Sequence, residues 1–472
     1  MAADEIFQTL ILGGGPAGLG PLICAAQQGW LGELLDSGIA LVERGMRIGS
    51  GSLGLYNVNS DTQAGSFLEC LHSSAGAQLF ASLRHQHITQ WLEQRRSLHV
   101  PLPIVAQYLD SLGDVLAQQL RAHPRSRFIN KAVGRSVHID ADGVFRIRIR
   151  SGAGSAKTDS QLRARTVILA MGGHQPPLGT LIREELAPGV RLSAIAPHKI
   201  MRTHDLLTSA GLDQAQRLLR LKKDRAPIVI LGGSHSAFSA AWTLLHSQSL
   251  LGKKSQNLKA NAILGADRPI YILHRSPMRV FYPSREAAHK DGYLDFDERD
   301  LCPLTGRVHR LGGLRGDGRQ LYRQLAGLGG EPQERRVQLV PLCTLSRNTE
   351  ALRTLLEHAA LVVPAFGYLP NLIPIFGRDG QQLRLCAAES GRTQLSLVDS
   401  YCRVVERSGT IIPGLFAVGL GSGFLPWGAM GGEPSFRGQT NGVWLYQNDI
   451  GAMILKQAAQ FTAQKHEAHE HR

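Results

Sequence analysis

The sequence predicts an α/β protein with two Rossmann-like dinucleotide-binding domains. A short apolar strand runs into a glycine turn and a helix at Gln8–Gly18, and a second copy of this pattern opens at Ile228. Further apolar strands that end in glycines recur later in the chain. Strands that alternate with helices in this way are typical of parallel sheets with helices on both faces.

Composition limits the class of protein. At 472 residues the chain exceeds one ordinary core, so two or three domains are expected. Lysine and arginine total 52 against 38 acidic residues, which gives a net charge of +14. The arginines are spread along the chain and aromatic residues make up only 6%. We therefore expect no nucleic-acid partner, and attraction of anionic cofactors or simple solubility explains the charge.

Neither cysteines nor targeting signals indicate a secreted or membrane protein. The six cysteines stand singly without C-x-x-C spacing, as expected for reduced thiols in a cytoplasmic protein. The first residues lack the basic segment of a signal peptide, and no run of about 18 apolar residues predicts a membrane span. The histidines of the tail KHEAHEHR are interpreted as a solvated terminus, so no metal site is expected.

The first glycine turn has the G-x-G-x-x-G spacing that a dinucleotide pyrophosphate needs. Gly13 makes the tight turn, Gly15 lets the backbone approach the phosphates, and Gly18 allows close packing of helix on strand. The following helix offers free N–H groups and the positive end of its dipole to the anion. The candidate cofactor-binding residues of this turn are Gly13, Gly14, Gly15, Pro16, Ala17 and Gly18.

The next strand supplies a candidate ribose ligand. Ile39–Val42 ends at Glu43, where a carboxylate would accept hydrogen bonds from the ribose hydroxyls of an adenine nucleotide. The adjoining Arg44 is assigned to the same site. The alternative for Glu43 is a solvated glutamate at a strand end.

The stretch between the two glycine turns is mixed. Arg44–Cys70 is rich in Gly, Ser and Asn and is predicted as a loop close to the redox-active ring of a bound nucleotide. Leu98–Ala122 is predicted as a helix that begins after Pro101 and Pro103. Phe128–Arg150 alternates as paired strands, and Thr166–Gly173 is an apolar strand that enters glycines.

The second unit differs from the first in its charge. Gly232, Ser234 and Ala237 occupy the three small-residue positions, and His235 and Ser236 add hydrogen-bond donors. The next strand, Pro269–Leu273, is followed by His274 and Arg275 instead of an acidic residue. Because an arginine can pair with a 2′-phosphate, this unit is predicted to bind NADPH. A solvated Arg275 is the alternative.

The last third repeats the strand-and-glycine pattern. Leu355–Tyr368 and Ile411–Gly423 each contain an apolar strand that enters glycines. Gln439–Ile454 is predicted as a helix whose first residues would direct N–H donors at whatever lies beneath the preceding loop.

With these residues in view, the chain resembles the flavin-dependent monooxygenases that include N-hydroxylating, flavin-containing and Baeyer–Villiger enzymes. Five short motifs follow the family's order over most of the length. They are the fingerprint at Gly13–Gly18, ILAMGG at Ile168–Gly173, GGSHSAFSAA at the second turn, AFGY at Ala365–Tyr368 and LFAVGL at Leu415–Leu420. The resemblance implies an FAD domain in two pieces, residues 1–177 and 357–472, with an NADPH domain at 178–356 inserted between them.

The last motif argues against flavoprotein disulfide reductases. Many of these end the strand in Gly-Asp, whereas here Gly419 is followed by Leu420 and no C-x-x-C is present. The resemblance implies that Gly419, Gly421 and Ser422 contact the FAD. The F-x-G-x-x-x-H signature of the flavin-containing and Baeyer–Villiger branches is absent, so the branch stays open.

The resemblance also implies a reaction. NADPH would reduce FAD, O2 would add to give a C4a-(hydro)peroxyflavin, and a nucleophilic centre of a small molecule, first of all nitrogen, would take the oxygen. Candidate catalytic residues are Asn59, whose alternative is a turn-stabilising role, and Gln439 and Thr440 at the predicted helix start. The alternative functions are an NAD(P)H-dependent flavin dehydrogenase, reductase or oxidase without oxygen insertion, and a flavin-bound regulatory protein. Homo-oligomer formation stays open.

Overall fold

The computed structural model describes residues 5–152, 158–221, 225–250, 268–387 and 396–470. The strands are β1 Ile6–Leu12, β2 Ile39–Val42, β3 Asn59–Gln63, β4 His99–Pro101, β5 Arg127–Ile129, β6 Ala132–Ile139, β7 Phe145–Ser151, β8 Thr158–Leu169, β9 Gly173–His174, β10 Glu185–Ala187, β11 Val190–Arg191, β12 Ile228–Leu231, β13 Ile270–His274, β14 Val337–Pro341, β15 Leu361–Pro364, β16 Leu369–Pro370, β17 Ile375–Phe376, β18 Arg403–Val405 and β19 Ile411–Ala417.

The helices are α1 Pro16–Gln28, α2 Leu31–Asp36, α3 Ala64–Phe67, α4 Glu69–His72, α5 Ser74–Leu79, α6 His87–Glu93, α7 Leu102–Ala122, α8 Leu178–Leu181, α9 Thr203–Leu206, α10 Ser209–Leu221, α11 His235–Leu250, α12 Arg285–Asp291, α13 Gly316–Ala326, α14 Leu342–Ser346, α15 Thr349–His358, α16 Val443–Gln447 and α17 Asp449–Glu470. No helix within the described ranges combines the length and apolar character needed to cross a membrane.

The larger sheet carries the first glycine turn. Its parallel part has the order β5-β2-β1-β8-β19, and β6, β7 and β8 form an antiparallel extension. The ends of β1, β2 and β8 are in register, with Leu12 beside both Val42 and Leu169. These strands are buried because helices or other strands cover both faces, which is why they read as continuous apolar runs.

The smaller sheet carries the second glycine turn. It is parallel throughout with the order β14-β13-β12-β15, so its first strand in sequence lies between the second and the fourth. Ile228 and Ile230 face one buried cluster, whereas Val229 and Leu231 face another on the opposite side. This arrangement is one doubly wound Rossmann-like unit.

The chain leaves the larger sheet after β8 and returns to it with β17 to β19. The predicted domain boundary at residue 356 is too early, because β15 pairs with β12 in the smaller sheet with Leu361 beside Ile228. The run LVVP of β15 is buried along its whole length, as a strand of a covered parallel sheet requires. The smaller unit therefore extends at least to Pro364.

Two predicted elements differ from the structure. Residues 44–70 are not a continuous loop, because β3 pairs with β4 and the short helices α3 and α4 follow. The predicted helix Gln439–Ile454 begins only at Val443 and is interrupted at Asn448, whose backbone is not helical. Long-range pairing, which composition does not reveal, determines the first difference.

Candidate functional site

The first glycine turn lies where the carboxyl ends of β1, β2 and β8 meet. The Gly13 amide donates to the Val42 carbonyl at 2.8 Å, and the Ala170 amide donates to the Leu12 carbonyl at 2.8 Å. Gly13 has φ +105°, and a side chain there would overlap the Ala170 backbone. A Cβ at Gly18 would overlap the Gly13 carbonyl oxygen. Both positions therefore require glycine for the tight turn and for close approach of α1.

Space remains beside Gly15 at the start of α1. The nearest atom to a Cβ at Gly15 would be the Gly51 Cα at 3.6 Å, and the Gly49 amide fixes the loop by donating to the Gly14 carbonyl at 2.8 Å. The helix N-terminus that begins at Pro16, with Ala17 buried behind it, directs unpaired amides toward this space. The residues present fit a dinucleotide pyrophosphate.

Glu43 stabilises the edge of the first glycine turn, which together with the start of α1 we call a glycine cradle. Its two carboxylate oxygens accept hydrogen bonds from the Gly14 amide and from the Gly45 amide, both at 2.7 Å. The carboxylate thus holds the glycine turn, and each oxygen retains a lone pair for a ribose hydroxyl. The neighbouring Arg44 is exposed to solvent.

The last strand of the larger sheet brings Gly419, Gly421 and Ser422 to the same edge. Val418 donates its amide to the Leu169 carbonyl at 2.9 Å, and a Cβ at Gly419 would lie 3.2 Å from the Ala17 Cβ. The Ser422 amide donates to the Gly419 carbonyl at 3.1 Å, which closes a turn with Gly421 inside it. These residues therefore lie beside the N-terminus of α1.

The second glycine turn repeats the first in the smaller sheet. The Gly232 amide donates to the Leu273 carbonyl at 2.9 Å, and a Cβ at Gly232 would lie 2.6 Å from the Ala365 carbonyl oxygen. Ser234 precedes α11 and is exposed, His235 and Ser236 in its first turn are half-buried, and Ala237 is buried against the sheet. Arg275 follows β13 and is exposed, so its guanidinium is accessible to a ligand at this edge.

Asn59 connects the two units. Its amide group donates to both carboxylate oxygens of Asp317, at 3.0 and 3.2 Å, and Asp317 lies in the first turn of α13. Burial raises the pKa of Asp317, and Asp61 adds to this, although the Asn59 hydrogen bond opposes it. Nearby, the Asn57 amide donates to the Leu207 carbonyl at 2.8 Å. The segment around Asn59 is thus an interdomain contact.

Gln439 and Thr440 do not begin a helix, which corrects the predicted position of the helix start. Gln439 is exposed, and the Thr440 amide donates to the Phe424 carbonyl at 2.9 Å within an irregular segment that ends before Val443. Gly438 and Gly442 flank the pair and do not favour helical backbone. The buried Thr440 hydroxyl has no hydrogen-bond partner among the described residues.

Residues 424–442 make an extensive contact, not predicted from the sequence, with the segment 275–336 that follows β13. The buried Glu433 carboxylate accepts from the amides of Leu311 and Gly312, both at 2.9 Å. Arg310 donates to the Met430 carbonyl, and Arg279 donates to the Ser435 carbonyl at 3.0 Å. These contacts span 120 positions of sequence or more, and no local motif marks them.

Cys302 lies inside this contact as a buried thiol. The Gly432 amide donates to its sulfur at 3.3 Å, and the Arg310 guanidinium lies 3.7 Å from it. Burial alone would raise the pKa of Cys302, but hydrogen bonds from Thr305, from backbone amides and from Arg310 lower it to about 7. All six cysteines are free thiols, and within the described ranges no group of His, Cys, Asp and Glu side chains suits a metal ion.

The molecule has one mixed and one parallel sheet, and the parallel strands of each end at a glycine cradle. The smaller sheet is inserted into the sequence of the larger one, which defines a two-dinucleotide-binding flavoprotein fold. No protein-family model matches the chain. A cadaverine monooxygenase from Erwinia amylovora, solved with FAD, covers 96% of this chain and 95% of its own at 12% identity, with a TM-score of 0.53. For an L-lysine 6-monooxygenase from Pseudomonas syringae the coverage is 96% and 99%, the identity 15% and the TM-score 0.49.

Sequence similarity identifies the family. A CMP-5′-(3-aminopropyl)phosphonate hydroxylase from Streptomyces rubellomurinus is 34% identical over 467 residues, which is 95% of this chain and 97% of the relative. The chain belongs to the flavin-dependent monooxygenases of the class B N-hydroxylase type. It is therefore a flavin-dependent hydroxylase, an oxidoreductase, and the predicted fold class and family are confirmed.

Proposed function

We propose that the protein binds FAD and NADPH and hydroxylates the amine nitrogen of a small molecule. The observation that carries the proposal is the pair of glycine cradles, one with the acidic Glu43 and the other with the exposed Arg275. The two units that contain them are joined by the hydrogen bonds of Asn59 to Asp317. The balanced reaction consumes the amine, O2, NADPH and a proton and yields the hydroxylamine, water and NADP⁺.

FAD fits the larger sheet. The amides at the start of α1 would hold its pyrophosphate, Glu43 would accept from its ribose hydroxyls, and Gly419–Ser422 would contact it from the neighbouring strand end. These residues would hold FAD where it would supply the redox chemistry between NADPH, O2 and the substrate.

NADPH fits the smaller sheet. The turn at Gly232–Ala237 would hold the pyrophosphate, with donors from Ser234, His235 and Ser236. Arg275 would pair with the 2′-phosphate through its planar fork, which NADH cannot engage. The contact of Asn59 with Asp317 joins the two units and would help to fix the distance between the two nucleotides.

The chemistry at the junction supports nitrogen as the reacting atom. An amine must lose its proton before it can act as a nucleophile, and a half-buried carboxyl with a raised pKa is a suitable proton acceptor. Asp317 meets both conditions, and Asn59 orients its carboxylate. The Thr440 hydroxyl is a further unpaired polar group of segment 424–442, which covers segment 275–336 and would help exclude water.

The substrate of the relative suggests the class of amine. That enzyme's printed substrate, CMP-5′-(3-aminopropyl)phosphonate, combines a primary amine with phosphorus-bound anionic oxygens. We propose an amine of this kind for the present protein. The net charge of +14 favours an anionic substrate of this type electrostatically.

The test is product analysis with the FAD-loaded enzyme, NADPH and ¹⁸O2. Candidate amines are CMP-5′-(3-aminopropyl)phosphonate, 3-aminopropylphosphonate, cadaverine, lysine and ornithine. We expect one of them to gain a single ¹⁸O on nitrogen, detected by mass and by a hydroxylamine-specific colour reaction. NADPH oxidation that gives only hydrogen peroxide with every amine, or label on carbon, would contradict the proposal and favour the reductase or oxidase alternative.

A further inference from the structure

The segment 275–336 contains two kinds of arginine. Arg285, Arg299 and Arg323 each pair with a carboxylate, supplied by Glu298, by Asp297, and by Asp291 and Glu331 respectively. By contrast, no carboxylate oxygen of the described residues lies within 4.0 Å of the guanidinium groups of the second kind. They are Arg275, Arg279, Arg307, Arg310, Arg315 and Arg335. Of these, Arg307 and Arg310 lie close enough to Arg315 to repel it, and we call these three the arginine cluster.

Arg315 is the central member of the cluster. Its half-buried guanidinium stacks 3.7 Å from the centre of the Phe281 ring and donates to the Arg310 carbonyl. Burial and the like charges of Arg307 and Arg310 lower the pKa of Arg315 to about 10. A cation held in this way is destabilised unless an anion joins it.

Acidic groups near the cluster do not neutralise it directly. Asp61 and Glu433 attract Arg315 only from beyond ion-pair distance, and Asp61 is exposed. Both oxygens of Glu433 already accept backbone amides of Leu311 and Gly312. Arg310 is engaged with the Met430 carbonyl and the Cys302 sulfur. Arg307 is exposed, and its guanidinium makes no hydrogen bond to any described residue.

The cluster lies where the two units meet. Asp317 is two residues beyond Arg315 and accepts the hydrogen bonds of Asn59 from the larger unit. Arg310, in turn, holds residue Met430 of the segment that follows Gly419–Ser422. A ligand at this junction would meet positive guanidinium groups on one side and the carboxyl of Asp317 on the other.

We propose that Arg315, flanked by Arg307 and Arg310, binds the phosphate or phosphonate group of the substrate. A guanidinium fork matches two oxygens of such a group, and the charge of the ligand supplies the missing counterion. The cluster is then a specificity determinant that selects anionic amines. This inference rests on the proposed function in that the same ligand presents its amine toward Asp317.

The first experiment measures binding without turnover. Titration calorimetry with CMP-5′-(3-aminopropyl)phosphonate, and separately with cadaverine, is performed on the FAD-loaded protein and on Arg315→Gln and Arg307→Gln variants. Arg299→Gln is the matched control, because Arg299 belongs to the same segment but is exposed and paired with Asp297. We expect Arg315→Gln to raise the Kd for the phosphonate about tenfold to a hundredfold. Arg307→Gln should raise it less, and Arg299→Gln and cadaverine binding should show no change.

Two further measurements separate the interpretations. The melting temperature of Arg315→Gln should not fall, because the substitution removes a charge that is incompletely compensated. A large fall in melting temperature together with an unchanged Kd for the phosphonate would indicate a structural arginine and overturn the proposal. The KM for NADPH should stay within about twofold. A rise in this KM with unchanged phosphonate affinity would assign the cluster to a cofactor phosphate and also overturn it. Arginine-dependent binding without any amine oxidation would support the anion site and contradict only the proposed function.

Discussion

Substitution of Gly18 by alanine tests whether the first glycine turn is a cofactor cradle. A methyl group there would overlap the Gly13 carbonyl oxygen and lie 3.0 Å from the carbonyl carbon and 3.2 Å from the Ala170 Cβ. To restore van der Waals distances, the first turn of α1 must move by on the order of 1 Å. Overpacking of this kind costs about 1–3 kcal/mol, and the better helix propensity of alanine returns about 1 kcal/mol.

Gly32→Ala is the matched control. Gly32 lies in α2, is exposed, and a Cβ there would meet nothing within 4 Å. This variant gains the same propensity of about 1 kcal/mol without the overlap. The difference in stability between the two variants therefore isolates the packing cost at Gly18.

The assay combines FAD content with thermal unfolding. Moving α1 should weaken at least one charge-assisted hydrogen bond to the pyrophosphate, which lowers FAD affinity about tenfold or more. We expect Gly18→Ala to be purified with less FAD and to melt at a lower temperature than Gly32→Ala. FAD affinity equal to that of the unsubstituted protein would refute the assignment of the turn.

Four further substitutions test other parts of the site. Glu43→Gln directs an amide N–H₂ at the Gly14 or Gly45 amide, so we expect a loss of about 1–3 kcal/mol of stability and a lower FAD content. Thermal melting and flavin absorbance measure the two effects, and unchanged values would refute this role of Glu43. Arg275→Ala should raise the KM for NADPH about tenfold but not that for NADH, and equal effects would show the arginine misassigned. The pKa of the Cys302 thiol is lowered to about 7, so its thiolate should stabilise the folded state increasingly from pH 7 to 9, by up to about 2–3 kcal/mol. This contribution to the free energy of unfolding should be absent below pH 7. The free energy of unfolding of a Cys302→Ser variant, measured by denaturant titration, should lack this rise with pH. A pH profile parallel to that of the unsubstituted protein would contradict the prediction. Asn59→Asp places a carboxylate against Asp317, so the melting temperature should fall more at pH 8 than at pH 5, and equal falls would exclude charge repulsion.

Sequence reasoning predicted the parts of the site that depend on local spacing. Gly13 and Gly232 lie in turns between a strand and a helix, and Gly18 lies in the first turn of α1. A few neighbouring residues determine each of these turns. Glu43 follows β2, as the sequence predicted, whereas its hydrogen bonds to the Gly14 and Gly45 amides were not predicted. Its role toward a ribose stays a prediction.

The parts that sequence reasoning missed depend on contacts between distant segments. Asn59 and Asp317 are 258 positions apart, and Leu311 and Glu433 are 122 apart. No periodicity or short motif encodes such pairs. The helix start at Gln439 was wrong for a related reason: the Thr440 amide is held by the Phe424 carbonyl in an irregular segment.

The packing of α1 against the carboxyl-terminal helices has a consequence for how the protein is made. A Cβ at Gly451 would lie 2.9 Å from the Cys24 Cβ, so α17 lies directly on the helix that would bind the pyrophosphate. About 415 residues separate the end of α1 from the start of α16. At about 5–20 residues per second, a ribosome needs roughly 20–80 s to supply them. During that interval the emerging chain exposes the apolar side of α1, so a chaperone is expected to bind there before FAD can be retained.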